Sequence, residues 1–305
     1  MPISVIIPAY KARKYLPECL ESIGRQTLAP AEVLVIDDAS PEPIDDIIDE
    51  FANRAGYPPI RLIKHEVNRG QAAGRNTGIQ AASGEWLAFI DCDDMWAPEH
   101  LESVLMTAKD SDADMVFCPG ILFTDDPHDP KNYKLRPLTD DEKALRPLSI
   151  LKRCFIIMSS TLIRAKFIRT VGGFDENPMM RGVEDVDLFM RMFEQGLQPR
   201  MDEKATLYYR KHPESATETL GNLARQGIHV TRTHINRVEG SAAEKKTILM
   251  NVYWRSAIQL WLTKAPGRLS CLATAIRRSL WNPLKALRWV YRFFRSLRRN
   301  SSYGL

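Results

Sequence analysis

Within the first 120 residues, short apolar runs alternate with stretches of helical period, and little else constrains the fold as strongly. The runs are 3–7, 33–36, 60–63, 86–90 and 115–117, each four or five residues long or shorter. Between them lie segments whose apolar residues recur at helical spacing, such as Leu16, Leu20 and Ile23, or Ile44, Ile47, Ile48 and Phe51. Strand–helix alternation of this kind predicts an α/β fold with a largely parallel, doubly wound sheet. Such sheets bind ligands at the carboxyl ends of their strands. Residues 159–163 and 208–212 are expected to resume and close the sheet. Helices are expected at about 98–109, from Glu184 onward, and at about 217–239 and 242–263.

Three strand ends carry polar or unusual residues: Pro8-Ala9-Tyr10, Asp37-Asp38-Ala39-Ser40 and Asp91-Cys92-Asp93-Asp94. The last is the most informative, because a buried strand gains no stability from ending in adjacent carboxylates. A hard divalent cation such as Mg²⁺ or Mn²⁺ would neutralise them, typically together with substrate phosphates. In an extended segment Asp91 and Asp93 would point the same way, toward one metal–diphosphate unit. The plainer alternative is a polar strand end followed by a helix cap at Asp94. Gly70, Gly74 and Gly78 lie on one helix face and read equally as close helix–sheet packing. His212, taken alone, reads as structural.

No G-x-G-x-x-G follows the first run and no G-x-x-x-x-G-K-[ST] occurs, which argues against a dehydrogenase or a P-loop NTPase. The five cysteines lack paired spacing, which points to a reducing compartment and to neither a disulfide framework nor a zinc site. The start, Met1-Pro2 followed directly by an apolar strand, does not read as a signal peptide, and no apolar run approaches membrane-spanning length. Charge is divided. Residues 1–244 carry 38 acidic and 29 basic side chains, whereas residues 245–305 carry 13 basic and no acidic ones. A tail so composed implies an anionic partner of its own.

Taken as an ordered series, these stretches resemble the family 2 glycosyltransferases, inverting enzymes of the GT-A fold. The resemblance covers about residues 3–215. It rests on Pro8-Ala9-Tyr10, Asp37-Asp38-Ala39-Ser40, Asn68-x-Gly70 with Ala73-Gly74-Arg75-Asn76-x-Gly78, and Asp91-x-Asp93-Asp94. It continues through Gly172-Gly173-Phe174-Asp175-Glu176, Glu184-Asp185-x-Asp187-Leu188 and Arg210-x-His212-x-x-Ser215. The fold this implies is a GT-A-type, Rossmann-like sheet over residues 1–216, with donor binding in about 1–118 and the acceptor side in about 119–216. A helical extension (217–264) and a basic amphipathic tail (265–305) would follow.

The resemblance implies transfer of a sugar from a nucleotide-sugar donor, a UDP-sugar foremost, to a hydroxyl of a glycan or lipid-linked acceptor in cell-envelope polysaccharide or lipopolysaccharide synthesis. It implies Mn²⁺ or Mg²⁺ as cofactor. Asp38 would meet the nucleotide base, with Pro8, Ala9, Tyr10 and Arg75 in the nucleoside pocket. Asp91 would lie against ribose and metal, Asp93 would ligate the metal, and His212 would touch metal or diphosphate. Asp185 would be the catalytic base, with Glu184 beside it and Asp187 as the other candidate or a brace for the helix. The rival readings are a sugar-phosphate nucleotidyltransferase, which would need a glycine-rich basic loop after the first strand, and a non-catalytic nucleotide-sugar-binding protein.

The tail is expected to form an in-plane amphipathic helix after Pro283. Leu284, Leu287, Val290, Tyr291, Phe294 and Leu297 would lie on one face and Lys285, Arg288, Arg292, Arg295 and Arg299 on the other, with Trp281 and Trp289 at the interface. That pattern suits an anionic membrane surface and a cytoplasmic protein held peripherally at the inner face of the cell membrane, with no nucleic-acid partner. The alternative is a helix packed against the acidic part of the chain.

Overall fold

The computed structural model describes residues 1–124, 126–127, 133–134, 138–212 and 220–301. Two compact units are present. One comprises residues 1–145, 155–176 and 188–213; the other comprises 146–154, 177–187 and 214–305. The boundary expected at 216, and Ser215 with it, lies outside the described residues. Two stretches of the expected catalytic span, 146–154 and 177–187, cluster with the C-terminal helices.

The first unit is built on a seven-stranded sheet. Its strands are β1 (Ile3–Ala9), β2 (Glu32–Asp37), β3 (Ile60–Lys64), β4 (Trp86–Phe89), β6 (Met115–Phe117), β9 (Leu162–Arg164) and β10 (Pro199–Met201). They lie in the order β10-β6-β9-β4-β1-β2-β3. All pairings are parallel except those of β9, which runs antiparallel to both β4 and β6. β1 and β2 are buried along their whole length, as strands covered on both faces must be. Helices α1 (Leu16–Gly24), α2 (Asp45–Ala52), α3 (Gln71–Ala81) and α4 (His100–Ser111) pack around the sheet. On α3, a Cβ at Gly78 would stand 2.4 Å from Ile6 Cγ2, and one at Gly74 would stand 3.3 Å from Pro8 Cβ. Those two glycines serve close helix–sheet packing.

Residues 208–212 do not close this sheet. β11 (Leu207–Arg210) belongs to a second, four-stranded sheet with β5 (Met95–Trp96), β7 (Gly120–Phe123) and β8 (Tyr133–Lys134), ordered β5-β11-β7-β8. Half of β11 is only partly buried, and its partner β5 is two residues long, so apolar pattern alone could not reveal the pairing. Residues 158–160 form a turn of 3₁₀ helix, and the strand expected at 159 begins at Leu162. Helix α5 (Asp140–Lys143) starts with a capping box between Thr139 and Glu142.

The second unit is helical. It contains α6 (Pro147–Lys152), the first turn of α8 (Glu184–Glu194), α9 (Leu220–His234), α10 (Ala242–Leu262), α11 (Arg268–Ser279) and α12 (Pro283–Ser301); α7 (Ala165–Thr170) belongs to the first unit. Its core is Met250, Tyr253, Trp254, Ala257 and Leu260 of α10 against Ala224, Cys271, Ala275 and Phe293. Trp254 Nε1 donates to Ser279 Oγ at 2.7 Å, and Trp289 Nε1 donates to Asn251 Oδ1 at 2.9 Å. Helix α12 opens with Asn282 accepting from the Lys285 N–H and Pro283 in its first turn, a capping pattern that needs no tertiary help. It meets α10 through Trp289 and Phe293, spaced four apart. The face expected to be apolar points elsewhere: Leu284, Leu287, Tyr291 and Phe294 are 56–78% exposed. The side chains of Leu297 and Arg299 lie outside the described ones. Among the described residues no helix is long and apolar enough to cross a membrane.

Candidate active site

Strand β4 delivers the acidic cluster. Burial holds Phe89 and Ile90 in place, and the chain then turns, with the Asp94 N–H donating to the Asp91 carbonyl at 3.0 Å. Residues 91–94 are therefore not extended, and the two carboxylates take different partners. Asp91 Oδ1 accepts from Arg75 Nη2 at 2.7 Å and from Gln71 Nε2 at 3.0 Å, both on α3. Asp93 Oδ2 lies 2.8 Å from His212 Nε2. Asp94 is no helix cap: it is buried and accepts from the Arg210 N–H at 2.9 Å, and β5 rather than a helix follows it.

The small sheet is what brings His212 here, across 119 residues of sequence. β11 runs antiparallel to β5, Tyr208 opposite Met95, so the residues beyond β11 come back over the acidic turn. Arg210, nearly fully buried, holds the arrangement: Nε donates to the Asp93 carbonyl at 2.9 Å and Nη2 to Glu18 Oε2 at 2.5 Å. Its guanidinium lies between the rings of Tyr15 and Phe123, 4.7 and 4.5 Å from their centroids. Tyr15 also packs on the His212 ring. The Arg-x-His pair is visible in sequence, but Arg210 carries no assigned role there, and Gln71, Tyr15 and Ser159, whose Oγ accepts from the Asp91 N–H at 3.0 Å, give no signal.

Burial and like charge both act on the carboxyl groups of the turn. Burial, then the charge of Asp91, pushes the Asp93 carboxyl above its ordinary value, against the His212 hydrogen bond. Burial and the charges of Asp93 and Asp91 push Asp94 well up. Carboxylates so crowded fit a divalent cation, and carboxylate oxygens with an imidazole are a suitable donor set. Among the described residues no three His, Cys, Asp or Glu side chains converge as a complete ligand set. The donors present fit a cation whose remaining ligands come from a diphosphate.

Pro8 and Ala9 end β1, and Ala9 is buried opposite Asp37 while Tyr10 is exposed at the rim. Asp38 is buried and braces the neighbouring loop. Its oxygens accept from the N–H groups of Arg69 at 2.9 Å and Gly70 at 2.7 Å, and Oδ1 lies 2.7 Å from His65 Nδ1. The loop after Gly172 is fixed to α3 by Asn76, which accepts from the Phe174 N–H at 2.8 Å and donates to the Phe174 carbonyl at 2.9 Å. Gly173 sits at φ +73°, and a Cβ there would meet Asn76 Oδ1 at 2.5 Å, so only glycine serves.

The carboxylates opening α8 divide by burial. Glu184 is buried and accepts from the Gly182 N–H at 2.5 Å. Asp187 is buried and bound to His234 Nε2 at 2.9 Å, both within the helical unit, which makes it a brace. Asp185 is the one that keeps partial exposure; its Oδ1 accepts from the Val186 N–H at 2.7 Å.

The family described as glycosyl transferase family 2 matches residues 4–172, more than half of the chain. An uncharacterized glycosyltransferase of Bacillus subtilis, EpsJ, is 28% identical over 221 residues, 71% of this chain and 63% of that protein. A putative glycosyltransferase of the same organism, EpsH, is 38% identical over 116 residues, 38% of this chain and 33% of that one. The chain thus spans less than two thirds of the length of these curated relatives. The Staphylococcus aureus TarS structure, residues 1–349 in complex with UDP-GlcNAc, aligns with a TM-score of 0.69 at 20% identity, covering 91% of this chain and 81% of that one. The Pyrobaculum calidifontis mannosyltransferase PcManGT, in complex with GDP-Man and Mn²⁺, aligns at 0.61 and 18% identity, covering 96% and 85%. These likenesses show the fold, a mostly parallel GT-A-type sheet. With its strand-end motifs in family order, the chain belongs to glycosyl transferase family 2.

Proposed function

We propose that the protein is an inverting glycosyltransferase that moves a sugar from a nucleoside-diphosphate sugar, a UDP-sugar foremost, to a hydroxyl of a glycan or lipid-linked acceptor. The observation that carries the reading is the pairing of Asp93 with His212 at 2.8 Å beside an Asp91 held by Arg75, in a chain of this family. UDP-GlcNAc in the TarS structure favours a UDP-sugar, and Mn²⁺ with GDP-Man in PcManGT favours a metal. Cell-envelope polysaccharide or lipopolysaccharide synthesis is the pathway class proposed.

In this reading Pro8, Ala9, Tyr10 and Arg75 line the nucleoside pocket and Asp38 meets the nucleotide base, its carboxylate also fixing the loop at Arg69 and Gly70. Asp93, Asp91 and His212 would hold the divalent cation, which would neutralise charge on the departing diphosphate. Asp185 accepts the proton of the acceptor hydroxyl as its oxygen bonds to the anomeric carbon and the bond to the diphosphate oxygen breaks. One displacement with no covalent intermediate inverts that carbon. Glu184 orders the turn beside Asp185 through Gly182. The exposure of Asp185, set against the buried Glu184 and Asp187, supports its choice as base.

Release of UDP from UDP-sugars, followed with the full chain and Mn²⁺, tests the assignment. Asp93→Asn is expected to remove more than nine tenths of turnover and to weaken Mn²⁺-dependent UDP binding. Asp185→Asn should abolish transfer with UDP binding within about twofold of the parent. Undiminished turnover in EDTA would overturn the metal, and an equal collapse of UDP binding in Asp185→Asn would overturn the base.

We further propose peripheral attachment to the inner face of the cell membrane through α12. Support comes from its exposed apolar stripe, Leu284, Leu287, Tyr291 and Phe294, beside the exposed Lys285, Arg288, Arg292 and Arg295. Basic residues near an anionic leaflet contribute ~1 kcal/mol each.

A further inference from the structure

The helical unit contains a cleft of about 480 Å³ lined by Met179, Arg225, Ile228, His229, Arg232 and Thr233. Five of the six lie on α9, and 225, 229 and 232 fall at helical spacing, so Arg225, His229 and Arg232 share one face. Among the described residues no carboxylate lines it. Arg225 is tethered, with Nη2 donating to the Pro266 carbonyl at 2.8 Å, and Arg232 is exposed. Three nitrogen-bearing side chains around one cavity, two of them guanidinium groups, lower the energy of an anion there, and guanidinium groups match phosphate oxygens in geometry. Met179 and Ile228 give the same cleft an apolar wall.

The cleft is built on the piece that carries the proposed base. Val230 of α9 packs against Met180 and Val183, immediately before Glu184 and Asp185. His234, at the end of the same helix, holds Asp187. An anion seated on α9 would therefore be bound by the element that positions the start of α8.

We propose that this cleft is an acceptor subsite for a phosphate group joined to a hydrocarbon chain, as in a lipid-linked acceptor. The inference rests on the transferase reading and deepens it by naming the acceptor's chemical class. Arg225, His229 and Arg232 take the phosphate, and Met179 with Ile228 takes the first carbons of the chain. A phosphodiester within a soluble glycan shares the phosphate but has no use for the apolar wall.

The test is calorimetric titration of the full chain, first with UDP and Mg²⁺ to saturation, then with geranyl phosphate below its micelle concentration or with glycerol phosphate. Geranyl phosphate is expected to bind saturably and at least tenfold more tightly than glycerol phosphate. The double substitution His229→Gln with Arg232→Gln should weaken it at least tenfold while UDP affinity stays within twofold. Arg232→Lys, which keeps the charge, should retain most of the binding, and melting temperatures check that each variant is folded. Equal affinity for the two phosphates would overturn the lipid assignment. Unchanged geranyl phosphate binding in the double variant, or no saturable binding to the UDP-loaded parent, would overturn the subsite. Failure of UDP itself to bind would instead count against the transferase reading.

Discussion

At the scale of single residues, histidines show how far environment overrides identity. His212 is drawn into the site by hydrogen bonding to a carboxylate whose proton affinity is raised, whereas His100 is drawn out of water altogether. It stacks on Trp96 with ring centroids 4.6 Å apart, and burial lowers its pKa to about 3, against smaller opposing effects of Thr206 and Asp202. In the unfolded chain it titrates near the ordinary value of about 6.5. The folded state therefore resists protonation: His100 costs no stability above that pH and an increasing amount below it. Between pH 7.5 and 5.5 the loss from this group is about 1 kcal/mol. Urea denaturation at the two pH values should show that much more destabilisation in the parent than in His100→Phe. Equal pH dependence in the two proteins would mean His100 is not held neutral. His212 meets its carboxylate across 119 positions, and His100, although Trp96 lies only four residues before it, is also met by Asp202 and Thr206 from far along the chain, so neither histidine's fate is legible from its neighbours in sequence alone.

Among the elements, α3 does the most positioning. One side of it is pressed on β1 through Gly78 and Gly74, and from it project Gln71 and Arg75 to Asp91 and Asn76 to the turn at Phe174. Repeating glycines at four-residue spacing were readable in sequence, and so was their packing alternative. Gly78→Ala should drive Cβ into Ile6, itself fully buried, and cost ~1–3 kcal/mol. Because Arg75 lies one helical turn away, UDP affinity should fall along with the melting temperature. Ile6→Val in the same chain should not restore the loss, since Cγ2 remains; an unaltered melting temperature for Gly78→Ala would show that the helix can shift outward freely. β11 is the opposite case. Two of its four residues are half-buried, and its pairing with β5 depends on a two-residue strand, too short to declare itself by pattern.

For the molecule as a whole, charge and burial have to be read together in the C-terminal helices. α12 has two apolar faces rather than one. Trp289 and Phe293 enter the core of the helical unit, while Leu284, Leu287, Tyr291 and Phe294 stay in solvent. A contiguous exposed apolar stripe beside basic side chains is costly for a free monomer and suits an anionic surface. Deleting the tail would also remove Phe293, Cys271 and Ala275 from the core, so a truncated chain is a poor probe. Leu284→Ser, Leu287→Ser and Phe294→Ser together in the full chain should keep the fold and reduce flotation with vesicles of phosphatidylglycerol by at least tenfold. Binding of the parent should fall as salt rises, given a screening length of about 8 Å at physiological ionic strength. Flotation that survives the triple change would sink α12 as the anchor.

The sequence by itself determined the parallel α/β class, the succession of β1 to β4 along the chain, the acidic turn after β4 and the basic, amphipathic end of the chain. Each of these is written locally, in apolar period, strand-end chemistry or charge balance, which neighbouring residues impose on one another. Only the tertiary structure decided that Asp91 and Asp93 part ways, that Arg210 pins the turn beside the His212 which the family resemblance already placed there, and that Asp187 is a brace bound by His234. It also decided that α12 turns Phe293 inward and Phe294 outward. These outcomes depend on pairings between residues 16 to 119 positions apart and on which face of a helix finds a partner. Contacts at that separation leave no periodic trace in a single chain.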